Sequence, residues 1–158
     1  MQRTIGSHKD ELRVVSTNVR SIGAPGKVLK LARFVNAHSP NVIILTETKH
    51  NDTNLFTGQV EFAEYQYFCT TPKRIGGVQI LVRKDLKPKF QCAFQHHTLV
   101  VSVRCNRITT YIIGVYNHSK RRNWEVATKL ARDLSRAATE ARVIIAGDFN
   151  DGIEEARR

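Results

Sequence analysis

The first fifty residues alternate between continuous apolar runs and an amphipathic spacing. Residues 12–17 (LRVVST) are typical of a β-strand that ends at Asn18, and the run VIILT before Glu47 is typical of a strand buried on both faces. Between them, Lys27–His38 carries apolar residues at helical spacing, namely Val28, Leu31, Ala32 and Val35. The pattern predicts a β-α-β unit whose strands pair in parallel through a right-handed crossover.

The middle of the chain carries closely spaced strand-like segments, which cover residues 65–70, Val78–Arg83, residues 89–95, Thr98–Cys105 and residues 107–116. Gly76-Gly77 is typical of a hairpin, and Asn106 stands where a tight turn is needed. Strands that follow one another this closely predict a single antiparallel meander.

A second helical pattern, residues 124–141, precedes another buried strand, Arg142–Asp148. We therefore predict an α/β fold in which two packed, mixed sheets form a sandwich flanked by helices, rather than one purely parallel doubly wound sheet. Residues 1–11 are polar and aperiodic, and they predict a flexible tail ahead of one domain that spans residues 12–158.

Charge narrows the classes of partner more than composition does. The 158 residues are 41% hydrophobic, as in ordinary folded proteins, but 25 Lys and Arg against 14 Asp and Glu give a net charge of +11. Such an excess favours polyanions, and charge alone does not choose among nucleic acid, phosphorylated ligands and anionic membranes. No apolar run approaches the ~20 residues of a membrane span, and no signal-peptide core begins the chain, so we expect no membrane partner.

Cysteine and histidine form no metal-binding pattern in the sequence. Cys69, Cys92 and Cys105 are widely spaced, and the histidines show no His-x-x-x-His spacing. We expect the cysteines to be reduced, mostly buried strand residues of an intracellular protein, with a nuclear location among the alternatives. Any metal site must then be built from carboxylates.

Polar side chains stand at the ends of three predicted strands: Asn18, Glu47 and Asp148. Such residues commonly begin loops, but ligands of α/β proteins also lie beyond the carboxyl ends of strands. Asn150 follows Asp148 by two residues, so in an extended chain both point to one side while Phe149 faces the core. Oxygen ligands of this kind suit Mg²⁺, which would stabilise the charge that develops on a phosphodiester oxygen.

Four segments together resemble the endonuclease/exonuclease/phosphatase family: VVSTNVRS, IILTETKH, Gly76-Gly77 leading into VQILVR, and IIAGDFND. Within that family, the sequence is most similar to the nuclease domains of LINE-type retrotransposons and to apurinic/apyrimidinic endonucleases. The resemblance extends from about Leu12 to Asn150. It implies a two-sheet α/β sandwich with the active site at one end of the sheets.

The resemblance also implies roles for the matching residues. Glu47 corresponds to the carboxylate that coordinates the catalytic Mg²⁺, with Mn²⁺ as an alternative ion, and Asn18 to the amide that accompanies it. Asp148 corresponds to the aspartate that orients or deprotonates the attacking water, and Asn150 to its phosphate-binding neighbour.

The stretch YNHS, which begins at Tyr116, matches the family in two alternative ways. Apurinic-type members have Tyr-x-Pro-Asn here, which Tyr116 fits, whereas pancreatic-type deoxyribonucleases place a His after this strand, which His118 matches. Either side chain would donate a hydrogen bond or a proton to the phosphate. A surface loop with incidental polar residues is the third alternative.

The end of the sequence departs from the family. Members carry a late Ser-Asp-His segment and further strands, which the residues after Asn150 (DGIEEARR) do not supply. We therefore expect a sandwich that is incomplete at the C-terminus, with unpaired sheet edges and exposed apolar faces. We expect this polypeptide alone to be marginally stable and weakly active or inactive, its missing partner being a C-terminal segment or a reverse transcriptase domain.

Basic residues surround the predicted site and are candidates for gripping a DNA backbone in a salt-dependent way. Two follow strand ends, two occupy a predicted hairpin tip, and three follow the YNHS stretch: Arg20, Lys49, Lys73, Arg74, Lys120, Arg121 and Arg122.

The leading functional hypothesis is a Mg²⁺-dependent endonuclease that nicks DNA with water as the nucleophile and leaves a 3′-hydroxyl. It needs no obligate small-molecule cofactor, and in a retroelement the nick would prime reverse transcription. One alternative is a phosphatase of a phosphorylated small molecule or lipid on the same fold, which the net charge disfavours. Another is a catalytically dead remnant that only binds nucleic acid.

Overall fold

The computed structural model describes residues 11–50, 53–70, 76–118 and 124–150, and within them the strands form two four-stranded sheets. The first sheet contains β1 (Val14–Asn18), β2 (Val42–Thr46), β3 (Tyr65–Cys69) and β4 (Val78–Arg83), in the order β1-β2-β4-β3. The second contains β5 (Lys89–Phe94), β6 (Thr98–Cys105), β7 (Ile108–Tyr116) and β8 (Arg142–Asp148), in sequence order. The helices are α1 (Lys27–His38) and α2 (Trp124–Ala137). The predicted two-sheet α/β sandwich is confirmed.

Each sheet contains one parallel pair joined through a helix. β1 pairs with β2 through α1, and β7 pairs with β8 through α2. Helix α1 covers the predicted residues, whereas the prediction that the second helix reaches residue 141 is wrong. Helix α2 ends at Ala137. In the turn that follows, the N–H of Ala141 donates to the carbonyl of Ala138, and the backbone turns into β8.

The predicted five-stranded meander is also wrong, because its segments divide between the two sheets. A strand that is apolar on both faces suits the centre of a sheet, and β4 accordingly lies between β2 and β3. After β4, a 3₁₀ turn at Lys84–Leu86 ends at Lys87, whose φ is 49°. The chain then enters the second sheet, where β5, β6 and β7 form a shorter meander.

Three apolar layers hold these elements together. The first lies between α1 and the first sheet, the second between the two sheets, and the third between the second sheet and α2. Two 3₁₀ turns, Thr53–Phe56 and Val60–Phe62, bring Phe56 and Phe62 into the first layer, each about 1% exposed. The sequence pattern does not predict these turns, because their apolar residues follow neither a helical nor a strand period.

The strands that end in polar residues meet at one end of the sandwich. Asn18 pairs in register with Thr46, and Tyr116 with Asp148. The edge strands β1 and β8 contact each other across the interface between the sheets. Within the described ranges, neither helix is long and apolar enough to cross a membrane.

Candidate active site

The Asn18 amide joins the two predicted carboxylates. Its Nδ2 lies 3.0 Å from Oε2 of Glu47 and 2.5 Å from Oδ2 of Asp148. The two acids belong to different sheets, and Asn18 and Asp148 are 130 residues apart in the chain. The convergence expected from the strand ends is therefore present in the structure.

The orientation of the Asn18 amide is fixed by a hydrogen bond to its oxygen. The backbone N–H of Arg20 donates to Oδ1 of Asn18 at 3.0 Å, and Arg20 has a φ of 46°. Because an N–H donor requires an oxygen acceptor, Nδ2 must face the carboxylates. In this arrangement Asn18 acts as a donor between two anions, and the amide would have to turn over before its oxygen could bind a cation.

Glu47 lies in a backbone segment held from two sides. It has a φ of 55°, and its carbonyl accepts from the N–H of Ser21 at 2.8 Å. The N–H of Thr48 donates to the carbonyl of Gly77, and that of Lys49 to the carbonyl of Gly76. These bonds fix the direction in which the Glu47 side chain leaves the first sheet.

A glycine is required at position 77 because the backbone there lies against the Thr48 side chain. A Cβ at this position would stand 2.5 Å from Oγ1 of Thr48, and its φ is 97°, which L side chains rarely adopt. Its N–H donates across the sandwich to the carbonyl of His96 at 2.9 Å, while the carbonyl of His97 accepts from the N–H of Tyr116 at 2.8 Å. The turn that contains His96 and His97 therefore links the two sheets beside the site.

The segment from Asp148 to Asn150 turns rather than continuing as a strand. Asn150 has a φ of 48°, and its N–H donates to Oδ1 of Asp148 at 3.1 Å. Its Nδ2 donates to the carbonyl of Asn117 at 2.5 Å, and Nδ2 of Asn117 donates to the carbonyl of Phe149 at 2.6 Å. The prediction that Phe149 faces the core is wrong, because the left-handed residue Asn150 ends the extended alternation and Phe149 is 37% exposed.

Tyr116 stands beside both carboxylates as a proton donor. The side chain is 6% exposed, and its strand position pairs with Asp148. Burial raises the pKa of Tyr116 above its usual 10.0, and the charges of Glu47 and Asp148 raise it further. A phenol with a raised pKa keeps its proton near neutral pH, so Tyr116 can donate to an anion. His118, two residues further on, is half-buried.

Two of the predicted basic residues lie at the mouth of the site. Arg20 is exposed, and Nζ of Lys49 lies 3.3 Å from Oε1 of Glu47. The other predicted basic residues lie outside the described residues: Lys73, Arg74, Lys120, Arg121 and Arg122.

The donor set of the site fits a hard divalent cation. No group of three or more His, Cys, Asp or Glu side chains suited to a metal occurs within the described ranges. Two carboxylates that both accept from the Asn18 Nδ2 nevertheless suit a divalent cation, since an ion such as Mg²⁺ commonly takes one or two protein carboxylates and completes its shell with water and phosphate oxygens. Glu47 and Asp148 are the residues that would hold it.

Sequence reasoning missed three contributors to this end of the molecule. Asn117 is 1% exposed and holds the Asp148–Asn150 turn, although it lies inside the YNHS stretch. Nothing local in the sequence distinguishes His96 and His97, because their carbonyls act across a sheet-to-sheet contact.

Comparison with known proteins agrees with this architecture. The family model for the Endonuclease/Exonuclease/phosphatase family matches residues 15–155. A search of curated protein sequences found no match.

Several solved structures share the fold. TDP2 from C. elegans superposes with a TM-score of 0.72 at 16% identity, covering 93% of this chain and 50% of that one. TDP2 from D. rerio, complexed with a single-strand DNA product, gives 0.67 at 20% identity, with 92% and 63% covered. The endonuclease domain of TRAS1, a telomere-specific non-LTR retrotransposon, gives 0.63 at 14% identity, with 91% and 61% covered.

The present chain thus spans 50% to 63% of the length of these three structures. The family match covers most of the described domain, and the two-sheet fold agrees with it. The chain belongs to the Endonuclease/Exonuclease/phosphatase family.

Proposed function

We propose that this domain is a metal-dependent phosphodiesterase that nicks DNA, with water as the nucleophile and a 3′-hydroxyl as one product. The observation that carries the proposal is the bridging of Glu47 and Asp148 by the Asn18 amide, which brings two acids from separate sheets to one point. Within the described residues, Asp148 has no cationic side chain paired with it. Two acids this close, one of them without a counter-charge, are typical of a functional site and do not stabilise the fold.

The residues divide the chemistry among them. Asp148 orients the attacking water and accepts its proton, since Asn18 and the N–H of Asn150 hold one oxygen each and fix the carboxylate plane. Tyr116 donates a hydrogen bond to a phosphate oxygen, and His118 is a second candidate donor for the same phosphate. Asn150 contacts the phosphate once its Nδ2 leaves the carbonyl of Asn117.

Glu47 and Asp148 would hold the divalent ion, which we propose to be Mg²⁺ with Mn²⁺ as a substitute. When bound, such an ion neutralises charge that develops on a phosphodiester oxygen. Asn18 holds the two carboxylates at a fixed spacing, because its Nδ2 donates to both of them.

DNA is the proposed substrate because both the net charge of the chain and the residues next to the acids favour a polyanion. The net charge is +11, and Arg20 and Lys49 stand next to the acids where a phosphate backbone would pass. The solved relatives support the same class, since one holds a single-strand DNA product and another is a retrotransposon endonuclease domain. We extend the proposal to a retroelement origin, in which the nick primes reverse transcription.

Nicking of supercoiled plasmid tests the proposal. The wild-type chain is assayed with Mg²⁺ and with EDTA beside Glu47→Gln, Asp148→Asn and the control Asp85→Asn, whose carboxylate pairs with Arg83 on the surface. We expect the two site variants and EDTA each to reduce nicking by about 10²-fold or more, and Asp85→Asn to leave it unchanged. Nicking that survives in EDTA, or in both site variants, would contradict the proposal.

A second candidate is a nucleic-acid-binding domain without cleavage, which the same positive charge favours. Its signature is DNA binding that weakens steeply with salt while Mg²⁺ produces no nick. Glu47→Gln would then strengthen binding by removing a negative charge, whereas in a nuclease it would abolish turnover.

A further inference from the structure

The two carboxylates of the site differ in ion pairing, because only Glu47 is paired with a lysine, Lys49, within the described residues. Nζ of Lys49 lies 3.3 Å from Oε1 of Glu47, while Oε2 accepts from Asn18. Asp148 has no ion pair within the described residues, and its oxygens accept from Asn18 and the Asn150 N–H. The ammonium of Lys49 therefore already lies beside the Glu47 carboxylate.

The backbone under this pair is held by hydrogen bonds, and the lysine is the more exposed of the two side chains. Glu47 and Lys49 have φ values of 55° and 54°, and the N–H of Lys49 donates to the carbonyl of Gly76 at 3.0 Å. The Lys49 side chain is 39% exposed, against 22% for Glu47. An ammonium on a flexible stem at that exposure is held weakly, because water and salt screen the pair.

We propose that Lys49 occupies the cation position of Glu47 until a divalent ion displaces it, and that the displaced ammonium then binds the substrate phosphate. The inference rests on the proposed function and deepens it, since it couples two binding events at one site. A divalent ion carries twice the charge of the ammonium and takes the same oxygens, so the two compete for Glu47. Arg20, whose backbone N–H donates to Asn18, is a second exposed cation in the segment next to the acids.

The coupling has a thermodynamic consequence. If the divalent ion frees Lys49 for phosphate, it raises the affinity for DNA, and DNA must raise the affinity for the ion by the same factor. A lysine that only binds DNA would strengthen DNA binding equally with and without the ion.

Mn²⁺ titration tests the competition without relying on turnover. Free Mn²⁺ is followed by electron paramagnetic resonance in wild type, Lys49→Met, Lys49→Arg, Lys89→Met and Glu47→Gln. Lys89 is an exposed lysine on β5, so Lys89→Met removes the same charge away from the site. We expect Lys49→Met to bind Mn²⁺ about 5- to 20-fold more tightly than wild type, and Lys89→Met to match wild type within about 2-fold.

The arginine variant and the addition of DNA sharpen the test. Lys49→Arg should bind Mn²⁺ no more tightly than wild type, because a guanidinium holds a carboxylate through two hydrogen bonds. The gain in affinity for a short duplex on adding Mn²⁺ should be present in wild type and lost in Lys49→Met.

The outcomes separate this inference from the proposal beneath it. If Glu47→Gln loses Mn²⁺ binding but Lys49→Met binds Mn²⁺ no better than Lys89→Met, the proposed metal site is supported. The proposal that Lys49 competes with the ion for Glu47 is then wrong. If wild type and Glu47→Gln bind Mn²⁺ equally, the proposed metal site is itself wrong and the inference fails with it.

Discussion

The two sheets of the sandwich are packed to different degrees on their outer sides. Helix α1 buries Leu31, Ala32 and Val35 against the first sheet, with Phe56 and Phe62 added by the 3₁₀ turns. On the second sheet α2 buries Ala127 alone among its described residues, and the apolar residues of β8 remain half-exposed. Glu47 therefore leaves a firmly packed sheet, whereas Asp148 leaves a loosely packed edge strand.

One half of the site is thus held by packing and the other by hydrogen bonds. Strand β2, which leads to Glu47, is buried at every position. Strand β8 depends on its parallel pairing with β7, and the turn after Asp148 depends on Asn117. Perturbations of the second sheet should therefore reach the site more readily than equal perturbations of the first.

The largest effect is expected at Gly147, one residue before Asp148. A Cβ here would overlap the carbonyl oxygen of Val115 in β7, so Gly147→Ala must separate β7 from β8. We expect a loss of at least about 3 kcal/mol in the free energy of unfolding, measured by urea denaturation. Gly58→Ala is the control, because Gly58 has a φ of 93° but open space around its Cβ, and strain alone should cost about 1–2 kcal/mol. Equal losses would show that the β7–β8 contact is not critical.

A pair of leucine truncations compares the two packed layers directly. Leu45 in β2 is fully buried, and Leu45→Ala should cost about 3 kcal/mol. Leu134 in α2 is partly buried against the second sheet, and Leu134→Ala should cost about 1 kcal/mol. Denaturant titrations of both variants measure the difference, and a larger loss for Leu134→Ala would show that the second sheet is the more firmly packed of the two.

The smallest effect is expected from alkaline titration of Tyr116. Its pKa is raised by burial and then by Glu47 and Asp148, so the folded protein holds this proton more tightly than the unfolded chain. The resulting stability is fully present below about pH 10, the unfolded value, and is lost as pH rises through the folded pKa. We expect Tyr116→Phe to reduce the loss of stability between about pH 8 and about pH 11 by less than about 1 kcal/mol.

Two other tyrosines also contribute to the alkaline loss of stability. Burial also raises the pKa of Tyr65 and Tyr67, so part of the alkaline loss should remain in the variant. An unchanged pH profile in Tyr116→Phe would mean that folding does not raise the pKa of this phenol.

Local sequence patterns predict most elements and the two parallel pairs, but not the order of the strands within the sheets. The parallel pairs, α1, β4 and the ends of β2 and β8 follow from apolar runs and from polar residues that close them. The placement of β4 between β2 and β3 depends on pairing across the chain, which no local period encodes. The same limit explains why the convergence of Asn18, Glu47 and Asp148 was predicted while the Asn117 bonds and the turn at Asn150 were missed.

The contact between the two sheets has a consequence for the choice of ion. A Cβ at Gly114 in β7 would lie 2.9 Å from Cγ1 of Val78 and 3.1 Å from Cγ2 of Ile44, so the sheets meet closely at this point. Because Glu47 and Asp148 stand on opposite sides of that contact, a slightly thicker interior would widen the gap between their oxygens. Substitutions in the apolar interior would thus change the ion radius that the proposed site accepts, while Glu47 and Asp148 stay the same.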